Sequence, residues 1–490
     1  MSAARSYYQE GGFETVIGLE VHCQLATASK LFCGCSAAFG AGANEHTCPV
    51  CLAMPGVLPV LNRCAVDYAI RAALATDSTI NTNSRWARKN YFYPDLPKAY
   101  QITQYEQPYC EHGRVTFDLD GTEHTVRLTR IHMEEDAGKS VHDAHASWSL
   151  VDLNRAGVPL LEIVSEPELR SGAEASAYMR KMRSLVRYLG ISDGNMNEGS
   201  MRCDANVSLR KRGATTLGTR AEIKNLNSFR SIERAIAYEI ERQAEILLGG
   251  GAIVQETRLW DADRGVTRSM RSKEEAHDYR YFPEPDLLPL VIDDAWIERA
   301  RSELPELPDA RRGRFVTSYG LSGYDSGVLT ASKELADWFE AAVAAHDNPK
   351  ALANWITSEV LRIANESGAE GETDFSQLPF APEHLAALVR LIDDGTISGK
   401  IAKTVFSKMV ESGDDPAAIV AREGLVQVTD EGAITAIVDS VVAANTAKVA
   451  EYKSGKDKLF GFFVGQVMKE SQGKANPASV NRLLKERLDG

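Results

Sequence analysis

Long apolar runs are missing from this chain. The densest stretch, Leu459 to Met468, is interrupted by two glycines and a glutamine, well short of the roughly 18 to 20 residues a bilayer span needs, so no membrane association is expected. An early arginine is followed by Glu10 and Glu14, which does not match the basic and apolar regions of a secretory signal; the expected location is the cytoplasm. Positive charge is also in short supply. The net charge of -13 and pI near 5.4 exclude a protein that coats nucleic acid through a field spread over its whole surface. Nor is there a familiar phosphate loop. Gly395 to Ile401 is one residue short between its glycines and lacks the hydroxyl residue after Lys400, and Gly40-Ala-Gly42 lacks the third glycine of a dinucleotide fingerprint. A bound nucleotide would have to sit in a different kind of cleft.

What the sequence does have is length and ordinary globular composition. With 490 residues, 44% hydrophobic and 25% charged, it excludes collagen, a coiled-coil rod and wholesale disorder, and it calls for about three domains. Charge is unevenly distributed. From Asn445 to Gly490 nine Lys or Arg stand against five Asp or Glu, so this segment is basic in an acidic chain; the plain alternative is a solvated face of terminal helices.

Four of the eight cysteines, Cys33, Cys35, Cys48 and Cys51, fall as Cys-x-Cys, twelve residues, then Cys-x-x-Cys. In a reducing compartment two close thiolate pairs joined by a loop can close a four-sulfur zinc site, with buried free thiols as the alternative. Four sulfurs leave no open coordination position, so such a zinc would be structural. His46 lies in the same loop and is a substitute ligand or polar surface.

The first half reads as strands with acids on one face. From Thr15 to Leu25, Ile17, Leu19, Val21, Cys23 and Leu25 alternate with Gly18, Glu20, His22 and Gln24, the pattern of a half-buried strand. Glu20 and His22 sit about 7 Å apart along it, able to share a cation. Val115, Phe117 and Leu119, an Asp120-Gly121 turn and a return through Val126 and Leu128 read as a hairpin. Its second strand ends in Glu134-Glu135-Asp136, whose mutual repulsion calls for a cation or a nearby base. Glu162 stands alone in an apolar run. Arg202, Asp204, Asn206 and Ser208 share the polar face of another strand, and Glu222 and Lys224 that of a shorter one. Five such strands predict an antiparallel sheet lining an acidic cleft, whose hard oxygen ligands suit magnesium and ATP phosphates.

Helices are expected later in the chain. Ser332 precedes Leu335, Trp338, Phe339 and Val343; Asn348-Pro349 opens a helix through Leu352, Trp355, Ile356 and Val360; Pro382 opens a third that stops at Gly395; Asn476-Pro477 opens the last, through Val480, Leu483 and Leu484.

Several irregular runs carry a resemblance. They are Phe13-Glu-Thr-Val-Ile-Gly-Leu-Glu20-Val-His22, Arg88-Lys89-Asn-Tyr-Phe-Tyr-Pro-Asp95-Leu-Pro-Lys98, His132-Met-Glu134-Glu135-Asp136-Ala-Gly-Lys139, Asp152-Leu-Asn-Arg155, Leu161-Glu162-Ile-Val-Ser-Glu166-Pro167, Gly199-Ser-Met-Arg202-Cys-Asp204-Ala-Asn206, Glu222-Ile-Lys224-Asn-Leu-Asn227-Ser and Asp278-Tyr-Arg280-Tyr-Phe-Pro283-Glu284-Pro285-Asp286. Over nearly its whole length the chain resembles the B subunits of aspartyl/glutamyl-tRNA(Asn/Gln) amidotransferases. The resemblance implies an α+β protein: an N-terminal antiparallel-sheet cradle domain with helices over residues 1-300, an all-α helical domain over 301-444 and a small α-helical tail domain over 445-490.

It further implies ATP-dependent amidation of misacylated Glu-tRNA(Gln) or Asp-tRNA(Asn), through phosphorylation of the side-chain carboxylate. His22, Glu134 and Glu162 become the implied magnesium environment, with Glu20, Asp204 and Glu222 as neighbouring cleft groups. Lys89 and Glu135 become an ion pair at an ammonia passage. The four cysteines match the zinc-binding form of the family. No Gly- and Ser-rich amidase signature accompanies these motifs, so the resemblance implies a heterotrimer in which a glutaminase of the amidase type and a small third protein join this chain. The tRNA would meet basic tail residues such as Lys453, Lys456, Lys458, Lys469 and Lys474. The nondiscriminating aminoacyl-tRNA synthetase is a further implied partner. Residues before Phe13 match no motif and are expected to lack order.

Overall fold

The computed structural model describes residues 6–142, 148–272, 279–367, 375–427, 430–471 and 474–490; of the motif residues named above, Asp278 lies outside them. The protein is α+β and divides into two compact units, one ending at Pro308 and one running over Asp309–Gly490. Among the described residues no single helix is long and apolar enough to cross a membrane.

Alternation builds the first unit. The strand Phe13–Gln24 buries Ile17, Leu19, Val21 and Cys23 almost completely, each removing a side chain from water for about 1.5 to 3 kcal/mol when it is large and aliphatic. It sits in the middle of a ten-stranded sheet. On one side it pairs with Met201–Lys211, then Ala221–Lys224, Glu256–Asp261 and Val266–Ser272; on the other with Pro159–Ser165, then Thr122–Glu135. The Asp120-Gly121 hairpin forms as expected, with Arg114–Leu119 paired to the start of Thr122–Glu135. The apolar face is covered by the helices Gly172–Tyr188 and Phe229–Leu248, whose Tyr178, Met179, Met182, Ile232 and Ile236 join the strand residues in one core. Each of these helices starts at a serine, Ser171 or Ser228, whose hydroxyl accepts the backbone N–H three residues on.

The sheet is not wholly antiparallel. Ala221–Lys224 and Glu256–Asp261 run parallel, because the helix Phe229–Leu248 lies between them in sequence and carries the chain back to the starting end, as any parallel neighbour requires. Residues before Phe13 are also more ordered than expected where they are described: Tyr7–Gly11 is a short helix, and Ser6 Oγ donates to Glu241 at 2.7 Å.

The first core reaches Ala300, with Leu304 and Leu307 packed against it, so the first unit extends past residue 300 to Pro308. The second unit is entirely helical among its described residues and holds two apolar clusters. One joins residues between Phe315 and Val420; the other joins Ile434, Val438 and Val441 to Phe463, Val467, Val480, Leu483, Leu484 and Leu488. A boundary after residue 444 would therefore cut the helix Glu431–Ala444 away from the tail it packs with. The caps at Ser332, Asn348 and Asn476 form as expected. The helix from Pro349 is interrupted, however, by a wider turn at Ile356–Val360. Thr357 and Ser358 donate back to the carbonyls of Ala353 and Asn354 at 2.9 and 2.6 Å, competing with the regular ladder.

Candidate active site

Pairing register assembles the site. On the polar face, Arg202, His22, Glu162 and His132 lie side by side on four successive strands, and Glu20 pairs with Asp204 in the next row of the same face. The cavity above them is about 450 Å³ and is lined by Glu20, His22, Lys89, Glu134, Arg202 and Asp204, with further residues from Tyr91 to Asn227.

His22 is at the centre. Its Nε2 lies 3.4 Å from Glu20, 3.6 Å from Glu162 and 4.0 Å from Glu134. Burial pulls its pKa down, but the Glu162 hydrogen bond and the Glu20 charge pull harder and hold it up at about 9. His132 is buried on the far side, 3.5 Å from Glu162 and 3.6 Å from Glu134, with Arg130 donating to its Nδ1 at 3.3 Å. Burial raises the Glu162 and Glu134 carboxyls; His132 and Lys89, joined at Glu162 by His22, reverse this and hold both below their ordinary value. At Glu20 burial and the Glu162 charge outweigh His22 and Lys224 and raise the carboxyl to about 7.

One donor atom each from His22, Glu134 and Glu162 falls within a sphere of mutual distances under 4.8 Å, and the same holds for Glu20, His22 and Asp204. Two carboxylate oxygens and an imidazole nitrogen, beside a cavity large enough for phosphate, suit a hard divalent cation that completes its shell with water or substrate oxygens. Thr103 Oγ1 donates to Glu134 at 3.0 Å and fixes its orientation.

Two further cations line the cavity with acids of their own. Arg202 bonds Asp136 at 2.8 Å, and Lys224 bonds Asp204. Gln24 also donates to Asp136, at 2.7 Å. Glu222 is displaced from the expected cleft. It is buried, accepts from Thr257 at 2.8 Å and lies 3.5 Å from Lys224, so it reaches the cavity through that lysine.

The expected Lys89–Glu135 ion pair is not formed. Glu135 bonds Lys98 at 2.6 Å and accepts the Ile102 N–H at 2.9 Å, because side chains alternate along the strand and Glu135 points to the opposite face from Glu134. There it lines a second cavity of about 230 Å³ with Lys98, Cys33 and Cys51. Lys89 stays in the first, 5.0 Å from the Tyr279 ring. Burial pulls its pKa down, but Glu134, Tyr281 and Glu162 together raise it above the ordinary lysine value.

The four cysteines converge with their sulfurs within 4.8 Å of one another. Cys48 and Cys51 are 3.9 Å apart, against about 3.8 Å for the edge of a tetrahedron with 2.3 Å zinc–sulfur bonds. Lys30, fully buried, lies 3.6 Å from Cys51 and donates to the carbonyls of His46 and Leu153, tying the cysteine loop to the rest of the unit. His46 uses its backbone here and is not part of the sulfur cluster. The hydrogen bond from Cys33, and the Lys30 charge with it, hold Cys51 well below the usual thiol range.

Sequence reasoning gave no role to His132, Lys98 or Lys30, although the first two stand inside the motifs that carry the resemblance. His132 lies an even number of residues from Glu134 and therefore shares its face, a signal available from alternation. Lys30 carries no such pattern.

Comparison with known proteins bears on both units. Residues 15–298 match the GatB/GatE catalytic domain and residues 337–488 the GatB domain. A protein of Geotalea daltonii is 60% identical over 98% of this chain and 100% of its own length. One from Geobacter sulfurreducens is 59% identical over 98% and 100%, and one from Syntrophotalea carbinolica 58% over 98% and 99%. All three are named as the B subunit of an aspartyl/glutamyl-tRNA(Asn/Gln) amidotransferase. The chain belongs to the family of amidotransferase B subunits.

Proposed function

We propose that this chain carries out the ATP-dependent, amide-forming half of tRNA transamidation, on misacylated Glu-tRNA(Gln), Asp-tRNA(Asn) or both. The observation that carries this reading is the convergence of His22, Glu134 and Glu162 beside a cavity that also holds Lys89, Arg202 and Lys224. Acids alone would repel polyphosphate, and cations alone would not need a metal; the two together suit phosphoryl transfer.

A side-chain carboxylate does not react with ammonia until it has a leaving group. In the first step one of its oxygens attacks the γ-phosphorus of ATP, the bond to the β,γ-bridging oxygen breaks, and ADP departs with that electron pair; no proton moves. Ammonia then attacks the acyl carbon, the carbon–oxygen bond to phosphate breaks, and the surplus proton passes to the departing phosphate. Magnesium, held by His22, Glu134 and Glu162, would neutralise charge on the transferring group. Thr103 and His132 orient the two carboxylates, and Asp136 and Asp204 hold Arg202 and Lys224 at the cavity wall.

Ammonia would come from glutamine hydrolysed by a partner of the amidase type, the A component of a heterotrimer that a small C component completes, and would approach past Glu135 and Lys98. Zinc on Cys33, Cys35, Cys48 and Cys51 would brace that wall. The basic tail would hold the tRNA body, and the complex would work in the cytoplasm beside the nondiscriminating synthetase that makes its substrate. The test is amide formation on misacylated tRNA by the complex, given ATP, magnesium and ammonium chloride in place of glutamine. A folded, tRNA-binding complex that makes no amide would refute the reading.

A further inference from the structure

Among the described residues, Lys89 is a cation with no anion of its own. Among the described residues no carboxylate lies within ion-pair distance of its Nζ and none of its three N–H groups has a hydrogen-bond acceptor, whereas Arg202, Lys224 and Lys98 each hold a named acid. The neighbours of Lys89 are ring faces, Tyr279 at 5.0 Å and Tyr91 at 6.0 Å. Tyr279 also meets the edge of Tyr281, which stacks on Tyr105 at 4.0 Å, so the ammonium is braced by a packed aromatic wall. Asn90, the next residue, donates to the carbonyls of Tyr279 and Arg280 at 3.0 and 2.8 Å and fixes that wall to the strand Ala87–Asn90. An ammonium held on apolar faces, partly removed from water and pointed into a cavity, is an incomplete binding site: among the described residues it lacks the oxygen anion that would satisfy it.

We propose that Lys89 binds the side-chain carboxylate of the misacylated aminoacyl group and holds it for attack on the γ-phosphorus, a role distinct from gating ammonia. Three features favour a carboxylate over the nucleotide here. The site is a single point charge, against the several donors a polyphosphate uses. It lies on the wall of the cavity that includes Glu134, where the transferred group must be. Its aromatic surround fits the methylene stem of a Glu or Asp side chain better than it fits phosphate. Because the ammonium contacts a carboxylate oxygen before transfer and the acyl phosphate after it, the same residue keeps the acyl carbon in place for the second step.

This inference rests on the phosphorylation reading, and its test separates the two. The complex with its amidase partner is given misacylated Glu-tRNA, ATP and magnesium but no nitrogen donor, and tRNA-dependent ADP formation is followed in a single turnover. Lys89→Met is expected to lower that rate roughly 10- to 100-fold, the loss of one charge-assisted hydrogen bond, while affinity for deacylated tRNA is unchanged and Lys89→Arg recovers part of the rate. Affinity for deacylated tRNA and the melting temperature show that the variant is folded, and Lys89→Gln is the substitute if Lys89→Met is not. ADP formation at the wild-type rate, with amide formation from glutamine lost, would overturn the inference and return Lys89 to an ammonia passage. If Glu134→Ala also keeps full ADP formation, the site reading itself falls along with it.

Discussion

Glu134 and Glu135 are consecutive on one strand and open onto different cavities, the first with Thr103 as its donor and the second with Lys98. The peptide between them is thus the partition between the proposed phosphoryl-transfer site and the wall on which the cysteine cluster stands. Substituting one or the other should separate two activities. Glu134→Ala is expected to abolish amide formation with either glutamine or ammonium chloride, at unchanged tRNA affinity. Glu135→Gln should reduce the glutamine-driven rate about tenfold more than the rate with high ammonium chloride, because it alters the approach and spares the chemistry; a loss of one pairing charge is of that order. Equal losses with both donors in Glu135→Gln would remove it from any ammonia route.

The cysteine loop supplies a second test. Cys48→Ser with Cys51→Ser should lower bound zinc, measured by elemental analysis, and thermal stability, with little change in turnover per folded molecule, since a four-sulfur site has no open position for substrate. Lys30→Met should shift zinc retention against a chelator in the same direction, because it removes the buried charge that lies 3.6 Å from the Cys51 sulfur. A selective fall in turnover at full stability would make the metal catalytic.

Much of the site was legible in the chain, and the exceptions have physical reasons. Alternation alone put Glu20 and His22 on the polar face and marked Glu162, because a half-buried strand leaves no other place for them. The convergence of His22, Glu162 and His132 depends on register across three strands, which local patterning does not set. Lys89 and Lys98 occur in one motif, and the connection from Ala87–Asn90 to its partner strand Tyr100–Thr103, which ends with Ala99 at a φ of 61°, leaves Lys98 beside Glu135. Glu222 looked like a cleft acid because it shares a strand face with Lys224, but Thr257 on the parallel neighbour holds it aside. The interrupted helix at Ile356–Val360 shows an apolar stripe surviving a change in helical pitch that the hydroxyls of Thr357 and Ser358 impose.

Arg88 and Glu284 join the strand Ala87–Asn90 to the segment at Phe282–Pro283. The guanidinium makes two bonds, at 2.7 and 2.8 Å, to a carboxylate whose side chain is fully buried, and it stacks 4.2 Å from the Tyr100 ring. Arg88→Met should destabilise the protein by about 3 to 5 kcal/mol, since it strands a buried charge, and Arg88→Lys should recover only part of this because an ammonium cannot match the two-pronged contact. Chemical denaturation monitored by tryptophan fluorescence would check it. A loss below about 1 kcal/mol would mean that Glu284 finds water or a proton at little expense.

Truncation tests where the tail begins. Ile434, Val438 and Val441 on the helix Glu431–Ala444 are packed against Phe463, Val480 and Leu484, so a chain ending at residue 444 exposes that apolar face, whereas one ending at residue 427 removes it. The shorter chain should be the more soluble and the better folded, and both should bind tRNA more weakly than the full protein, with a shallower salt dependence as phosphate contacts are lost. Unchanged tRNA affinity in the shorter chain would refute the tail's assigned role.

In the helical unit, Glu340 gathers three donors, Arg311, Arg314 and Tyr319, with Arg314 at 2.6 Å and Tyr319 at 3.0 Å. Partial burial pushes its carboxyl up, but the hydrogen bonds pull further and hold it at about 2, below its ordinary 4.5. A carboxylate with a depressed folded pKa binds its proton more readily when unfolded, so its contribution to stability is complete above the ordinary value and is lost as pH falls from about 4.5 towards 2. Glu340→Gln should therefore lower the melting temperature at pH 7 and flatten its fall between pH 5 and pH 3 relative to the wild type, since the variant has no proton to take up at that position. If the two proteins lose melting temperature in parallel over that window, the arginines are satisfied by other acceptors, Asp337 at 2.7 Å from Arg311 among them, and the acid sensitivity of the unit resides in other carboxylates.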